Sequence, residues 1–332
     1  MKKILSIFIT IAMLITVISS CSKKESTQAK NLETITFLLD WAPNTNHTGV
    51  YVAQQKGYYA DEGLSVIIAQ PSDGGAEMLV ASGKAQFGVS FQDSLVPAFS
   101  GDNKIPVTAI AALIQHNTSG LISRKEKGID TPAKLENCKY ATWDMDIEKA
   151  IIKQVMQADG GDYSKLELIP STVADAVSAI QTDVDCVWVY YAWDKIRADI
   201  AGVDTNYIDF KDYGAELDYY NPVLIAENNY LKNNPEQVKA FLRATEKGYQ
   251  FAMAHPDEAA KILCTVVPEL DKTLVTKSQE WLANQYQADA AHWGEFDSTR
   301  WNGFYNWLYK ENVIESPIPE NTGFTNDYLP LD

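Results

Sequence analysis

Residues 38–64, LLDWAPNTNHTGVYVAQQKGYYADEGL, decide the fold. An apolar run over 35–39 reads as a strand, and it empties into the turn Asp40-Trp41-Ala42-Pro43-Asn44-Thr45-Asn46-His47, after which a helical pattern runs to Gly57. Pro43 removes a backbone donor and stops the strand, while Asn44, Thr45 and Asn46 are good turn and N-cap residues. A strand that exits into a helix N-terminus, where N–H groups are free, is where open α/β sheets bind small molecules. Trp41 stands among small polar residues, an odd setting for a core side chain. It either covers the end of the sheet or offers a flat face to a ligand.

The chain opens with a targeting pattern. Met1-Lys2-Lys3 is a positive start, 4–17 is mostly apolar, and Ile18-Ser19-Ser20-Cys21 resembles a bacterial lipobox, in which cleavage precedes the cysteine and that cysteine carries the lipid. Residues 1–20 are therefore expected to be a lipoprotein signal peptide, Cys21 the lipidated N-terminus, and 21–32 a polar tether. Removal of 1–20 takes the formal charge from −16 to −18, because Lys2 and Lys3 leave 26 basic against 44 acidic residues. That excess argues against nucleic acid, whose binding needs clustered Lys and Arg. It also disfavours a polyanionic ligand. Cys138, Cys186 and Cys264 are odd in number and lack CxxC spacing, so no metal site or disulfide framework is implied.

The remainder repeats the strand-turn-helix layout. Strands are expected over 64–69 and 86–89, the latter leaving Ser90-Phe91-Gln92-Asp93-Ser94 at its exit. Parallel strands with right-handed crossovers put such exits on one side, together with Trp41. A second lobe begins near Thr118. There 139–142 reads as a strand, Trp143-Asp144-Met145-Asp146 as its exit loop and 147–158 as a helix, so Trp143 stands where Trp41 stands in the first lobe. A helix over 173–181, capped by Ser171 or Thr172, leads to a strand over 185–189 and the aromatic cluster Trp188, Tyr190, Tyr191, Trp193. Alternation along that strand puts Trp188 and Tyr190 on one face and Tyr191 on the other. Residues 219–225 read as a return strand, Asn234-Pro235 as a helix start, and Trp281, Trp293, Trp301 and Trp307 as packing of a helical C-terminal part.

The ordered string of Asp40-Trp41, the PNTNH turn and the helix end KGYY-x-x-EGL resembles the NMT1/THI5-like family of solute-binding proteins. The transporter branch of that family comprises ThiY-type binders of thiamine pyrimidine precursors and related riboflavin binders. The resemblance implies an α/β, bilobed type II periplasmic-binding-protein fold, two α/β lobes joined by a two-crossing hinge near Thr118 and Asn221. Lobe 1 would be 33–118 plus 222–332 and lobe 2 119–221. It implies a monomeric, lipid-anchored binder on the extracytoplasmic face of the membrane, serving an ABC permease and capturing a flat heteroaromatic solute. A thiamine pyrimidine precursor is expected, with riboflavin or another nitrogenous aromatic as the alternative.

No HExxH, GxSxG, P-loop or GxGxxG occurs. The enzymatic alternative also comes from the resemblance, because the fungal branch comprises pyrimidine synthases that use a lysine-bound pyridoxal phosphate and a nearby histidine after the third strand. Ser90 and Ser94 occupy those two positions here. Neither catalytic residues nor a cofactor are therefore expected. Candidate ligand contacts are Asp40, Trp41, Asn46 and His47 at the first exit, Ser90 and Gln92 after the third strand, Trp143, Trp188, Tyr190 and Tyr191 in the second lobe, and Asn221 at the second crossing.

Overall fold

The computed structural model describes residues 32–71, 75–101, 104–171 and 173–331. The expected signal peptide, Cys21, the expected tether up to residue 31, and Thr172 lie outside the described residues.

Among the described residues, ten strands form two sheets: β1 (Glu33–Leu38), β2 (Leu64–Ala69), β3 (Phe87–Ser90), β4 (Val107–Ala112), β5 (Ser119–Arg124), β6 (Lys139–Thr142), β7 (Glu167–Pro170), β8 (Cys186–Tyr190), β9 (Thr205–Asp209) and β10 (Val223–Glu227). The sheet orders are β2-β1-β3-β10-β4 and β7-β6-β8-β5-β9. In each, three strands run parallel in the order two-one-three, and one antiparallel strand separates the third from the fourth. That inserted strand is β5 in one sheet and β10 in the other. Each follows directly on a passage between sheets, so each connection leaves an edge strand of one sheet, β4 or β9, and enters the other sheet at an inner strand.

Helices used below are α1 (Thr48–Gln55), α2 (Gly75–Ala81), α3 (Asp146–Ala158), α4 (Ala176–Thr182), α5 (Pro235–Ala254), α6 (Lys272–Leu282) and α7 (Ser298–Lys310). The first sheet buries Ile35, Phe37, Phe87 and Val89 against α1 and α5, with Phe87 stacked on Phe241 at 4.0 Å. α1 meets α5 glycine to glycine, because a Cβ on Gly248 would strike the Gly49 carbonyl and one on Gly49 would strike the Tyr249 ring. That close approach fixes the N-terminal end of α1, which carries the Asn44–His47 turn.

Two expectations are corrected. α4 starts at Ala176 and its cap is Asp175, whose carboxylate accepts the Ser178 N–H at 2.9 Å; Ser171 instead donates its N–H to Thr142 and extends the β7 ladder. Tyr219 and Tyr220 precede the return strand, which begins at Val223. Tyr220 exchanges hydrogen bonds with Gln92, its N–H to Oε1 at 2.9 Å and its carbonyl to the Gln92 N–H at 3.1 Å, and so is taken out of the ladder.

The connections over 113–118 and 218–222 are tied to each other. The Leu113 N–H donates to the Pro222 carbonyl at 3.0 Å, and Asn117 donates its N–H to Asp218 Oδ1 and its amide to the Leu217 carbonyl. His116 lies between two carboxylates, Nδ1 at 2.7 Å from Asp218 and Nε2 at 2.9 Å from Asp289, and Arg300 approaches the same Asp218 at 3.6 Å. Only imidazolium can donate from both nitrogens. The Asp218 hydrogen bond, helped by the charge of Asp218 and the hydrogen bond of Asp289, raises the His116 pKa above its usual value against the opposing effects of burial and the Arg300 charge. A histidine pKa raised by folding stabilises fully below the unfolded value, about 6.5, and that stabilisation fades as pH climbs through the folded value. The difference in unfolding free energy between wild type and His116→Gln is therefore expected to be largest at pH 6 and below, about 1–2 kcal/mol once the value typical of hydrogen bonds to charged groups is discounted for solvent screening, and to narrow toward pH 9. A gap independent of pH would mean that His116 acts through packing alone.

Candidate functional site

The exits of β1, β3 and β8 converge on a cavity of about 250 Å³ lined by Asp40, Trp41, Asn44, Thr45, Asn46, Phe91, Tyr190, Ala192, Trp193 and Asp194. Both sheets contribute to it, and the first contribution is built by local hydrogen bonds. The Asn44 side chain accepts the Asn46 N–H at 2.8 Å, and the Asn44 N–H donates to His47 Nδ1 at 3.2 Å. With Nδ1 an acceptor, the imidazole proton resides on Nε2, which donates to Asp40 Oδ1 at 2.6 Å. His47 is fully buried and uncharged in this arrangement, so it orients the Asp40 carboxylate without neutralising it.

The same turn is held from behind by the helical part of the chain. Tyr249 donates its hydroxyl to the Asn46 carbonyl at 2.6 Å, Tyr286 donates to the Thr45 carbonyl at 2.7 Å, and the Thr45 and Ser278 hydroxyls are 2.6 Å apart. Stacking of Tyr249 on Trp293 at 4.7 Å anchors the first of these. The turn is thus fixed on both sides, and Trp41, 60% exposed, projects from it at the cavity.

The opposite wall leaves β8 as a π-helical turn, Tyr191–Lys195. Its wide pitch brings the consecutive residues Ala192, Trp193 and Asp194 to the cavity and turns Tyr191 away, onto Trp281 of α6 at 4.6 Å. Tyr190 forms the floor. It packs against Phe91 with ring centroids 6.2 Å apart, and its hydroxyl accepts from Asn221 Nδ2 at 3.2 Å. Burial pushes Asp194 up to about 6, and burial does the same for Asp93 behind Tyr190. Among the described residues, no lysine, arginine or histidine lines the cavity.

Of the expected contacts, Asp40, Trp41, Asn46 and Tyr190 line the cavity, and His47 and Asn221 stand one layer behind it on Asp40 and Tyr190. The others are placed elsewhere. Ser90 is buried and donates to Glu77 of α2 at 2.5 Å. Gln92 is buried with its amide committed on both ends, to the Tyr220 N–H and to the Trp301 carbonyl at 2.8 Å, and is a clamp on the second connection. Trp188 is covered by Phe210 at 4.4 Å. Trp143, 46% exposed, leans on Trp188 at 5.6 Å, held there by Glu148 of α3, which accepts its N–H at 3.0 Å. Asn44, Thr45, Phe91, Ala192, Trp193 and Asp194 were absent from the expected contacts. One signal was available for two of them: Trp193-Asp194 at the exit of β8 is the reversed echo of Asp40-Trp41 at the exit of β1.

Comparison with known proteins gives a consistent picture. The sequence model of a family described as NMT1/THI5 like matches residues 44–259. The formylaminopyrimidine-binding protein of Halalkalibacterium halodurans is 28% identical over 332 residues, 98% of each chain. The 4-amino-5-hydroxymethyl-2-methylpyrimidine phosphate synthase of Legionella pneumophila is 28% identical over 247 residues, 73% of this chain and 77% of that one. Among solved structures, the alkanesulfonate-binding protein SsuA from Xanthomonas axonopodis pv. citri superposes with a TM-score of 0.67 at 10% identity, over 88% of this chain and 98% of that one. At such low identity the likeness concerns the fold alone, which is that of the periplasmic binding proteins.

Proposed function

The chain belongs to the NMT1/THI5-like family, and from that premise we propose that it is the extracytoplasmic solute-binding lipoprotein of an ABC importer, capturing a thiamine pyrimidine precursor of the hydroxymethylpyrimidine or formylaminopyrimidine type. One observation carries the reading: an aromatic cavity in which the His47 relay presents an uncompensated Asp40 carboxylate beside Trp41. Stacking on Trp41 and Tyr190 holds a flat ring by its faces, and a carboxylate at the edge accepts from amino or protonated ring nitrogens. A full-length likeness to a formylaminopyrimidine-binding protein supports the same ligand class. The cavity, about 250 Å³, suits one substituted ring better than a three-ring flavin, being near the small end of ligand sites. The absence of a cation in the lining opposes a sulfonate.

Binding is the work of this chain and synthesis is not. The synthase branch needs a lysine amine to hold pyridoxal phosphate, and Ser90 at that position hydrogen-bonds Glu77 instead. A ligand that touches both walls binds the closed arrangement of the lobes, 33–118 plus 222–332 against 119–221, better than the open one, and so shifts the protein toward closure before delivery to the permease. The protein acts as a monomer, anchored by a lipid on Cys21. Fatty-acid labelling of wild type and not of Cys21→Ala is the expected outcome, and equal labelling of both would contradict the anchor.

Isothermal titration tests the ligand class. 4-Amino-5-hydroxymethyl-2-methylpyrimidine is expected to bind, with riboflavin and an alkanesulfonate far weaker. Trp41→Ala should cost about 1–2 kcal/mol, and Asp40→Asn should weaken the aminopyrimidine more than any ligand lacking an amino edge. Tight riboflavin or sulfonate binding without pyrimidine binding would refute the proposal.

A further inference from the structure

We propose that Asp194 is a second acidic ligand contact, supplied by the wall opposite Asp40, and that this pair restricts the cavity to unphosphorylated ring compounds bearing N–H donors. The proposal rests on the reading above that this cavity holds the solute, and it adds the residue that sets the charge of what enters.

Four observations converge on Asp194. Its π-helical turn brings it into the cavity lining beside Trp193, on the wall facing Asp40 and Trp41. It makes no ion pair among the described residues, and both nearby cations are engaged elsewhere. Lys195 holds Asp199 with contacts of 2.6 and 2.7 Å, and Arg197 lies 3.8 Å from Asp175. The neutral tautomer of His47 leaves the charge of Asp40 uncompensated too, so two carboxylates face the solute from two lobes without a basic residue in the lining.

The consequence follows from the cost of burying charge. When the lobes close on a solute, water leaves both carboxylates, and each needs a donor or a positive charge in exchange. An aminopyrimidine offers N–H groups along its edge, and a protonated ring offers charge as well. Trp41, Trp193 and Tyr190 lie around the same space and favour a cation over their faces. A phosphate or sulfonate would instead bring a further anion into a closed space that already holds two. The cavity therefore captures the alcohol or amine form of its ring and leaves phosphorylation to a later step elsewhere.

Titration calorimetry with two matched pairs tests this: 4-amino-5-hydroxymethyl-2-methylpyrimidine against its phosphate ester, and benzylamine against benzyl phosphate. Wild type is expected to prefer the first member of each pair by about 100-fold or more, the cost of an added like charge at short range. In Asp194→Asn, with an unchanged melting temperature, that preference should shrink at least fivefold, a change of ratio that a general loosening of the cavity would not produce. An unchanged ratio in the variant, or wild-type affinity for the phosphate ester within threefold of the alcohol, overturns the assignment. Discrimination within the benzyl pair that shrinks in Asp194→Asn, without binding of either pyrimidine, retains the role of Asp194 and refutes the pyrimidine reading. Binding of none of the four refutes both.

Discussion

A neutral imidazole has one proton to give, and the backbone of Asn44 decides where that of His47 goes. By occupying Nδ1, the Asn44 N–H sends the proton to Nε2 and from there to Asp40. The relay spans Asp40 to His47, yet much of the chain serves to keep it in register. Tyr249 and Tyr286 hold the carbonyls of the turn from behind, and the glycine contact between α1 and α5 sets how close Tyr249 can come. The function of the helical C-terminal part is thus partly a matter of backbone accounting. Each carbonyl of a buried turn needs a donor, and tyrosines more than 200 residues away supply two of them.

A second constraint is topological. Because β5 and β10 are inserted next to the third strand of each sheet, the connections run beside the exits of β3 and β8. Gln92 follows β3 and grips Tyr220 in one connection, while the Tyr191 N–H, just past β8, donates to Thr118 in the other. Hinge and site are therefore built from neighbouring residues. The cavity floor and the second connection meet directly, through the Asn221 amide on the Tyr190 hydroxyl.

Local chemistry made the fold readable. The 38–64 stretch announced strand, turn and helix through Pro43, the Asn44 cap and the apolar runs, and β1, the capped turn and α1 stand where that chemistry puts them. The echo of that layout in 139–158 was equally visible. Ser90, Gln92 and Trp188 occupy strand ends or exits of the right kind, but their partners are set by tertiary packing. The amide of Gln92 is taken by residues 128 and 209 positions away, and no spacing rule reports that. Asp194 is not legible for the opposite reason, since strand and α-helix periods give no hint of a π-helical turn that aims three successive residues at one space.

The central claim, that the Asp40 and Trp41 cavity exists to hold an aminopyrimidine, is tested most directly by mass spectrometry of the small molecule released when natively purified protein is denatured. The account predicts an unphosphorylated aminopyrimidine, released in a near-stoichiometric amount by wild type and lost from Asp40→Asn. A flavin, a sulfonate or a phosphorylated ring in its place would contradict it.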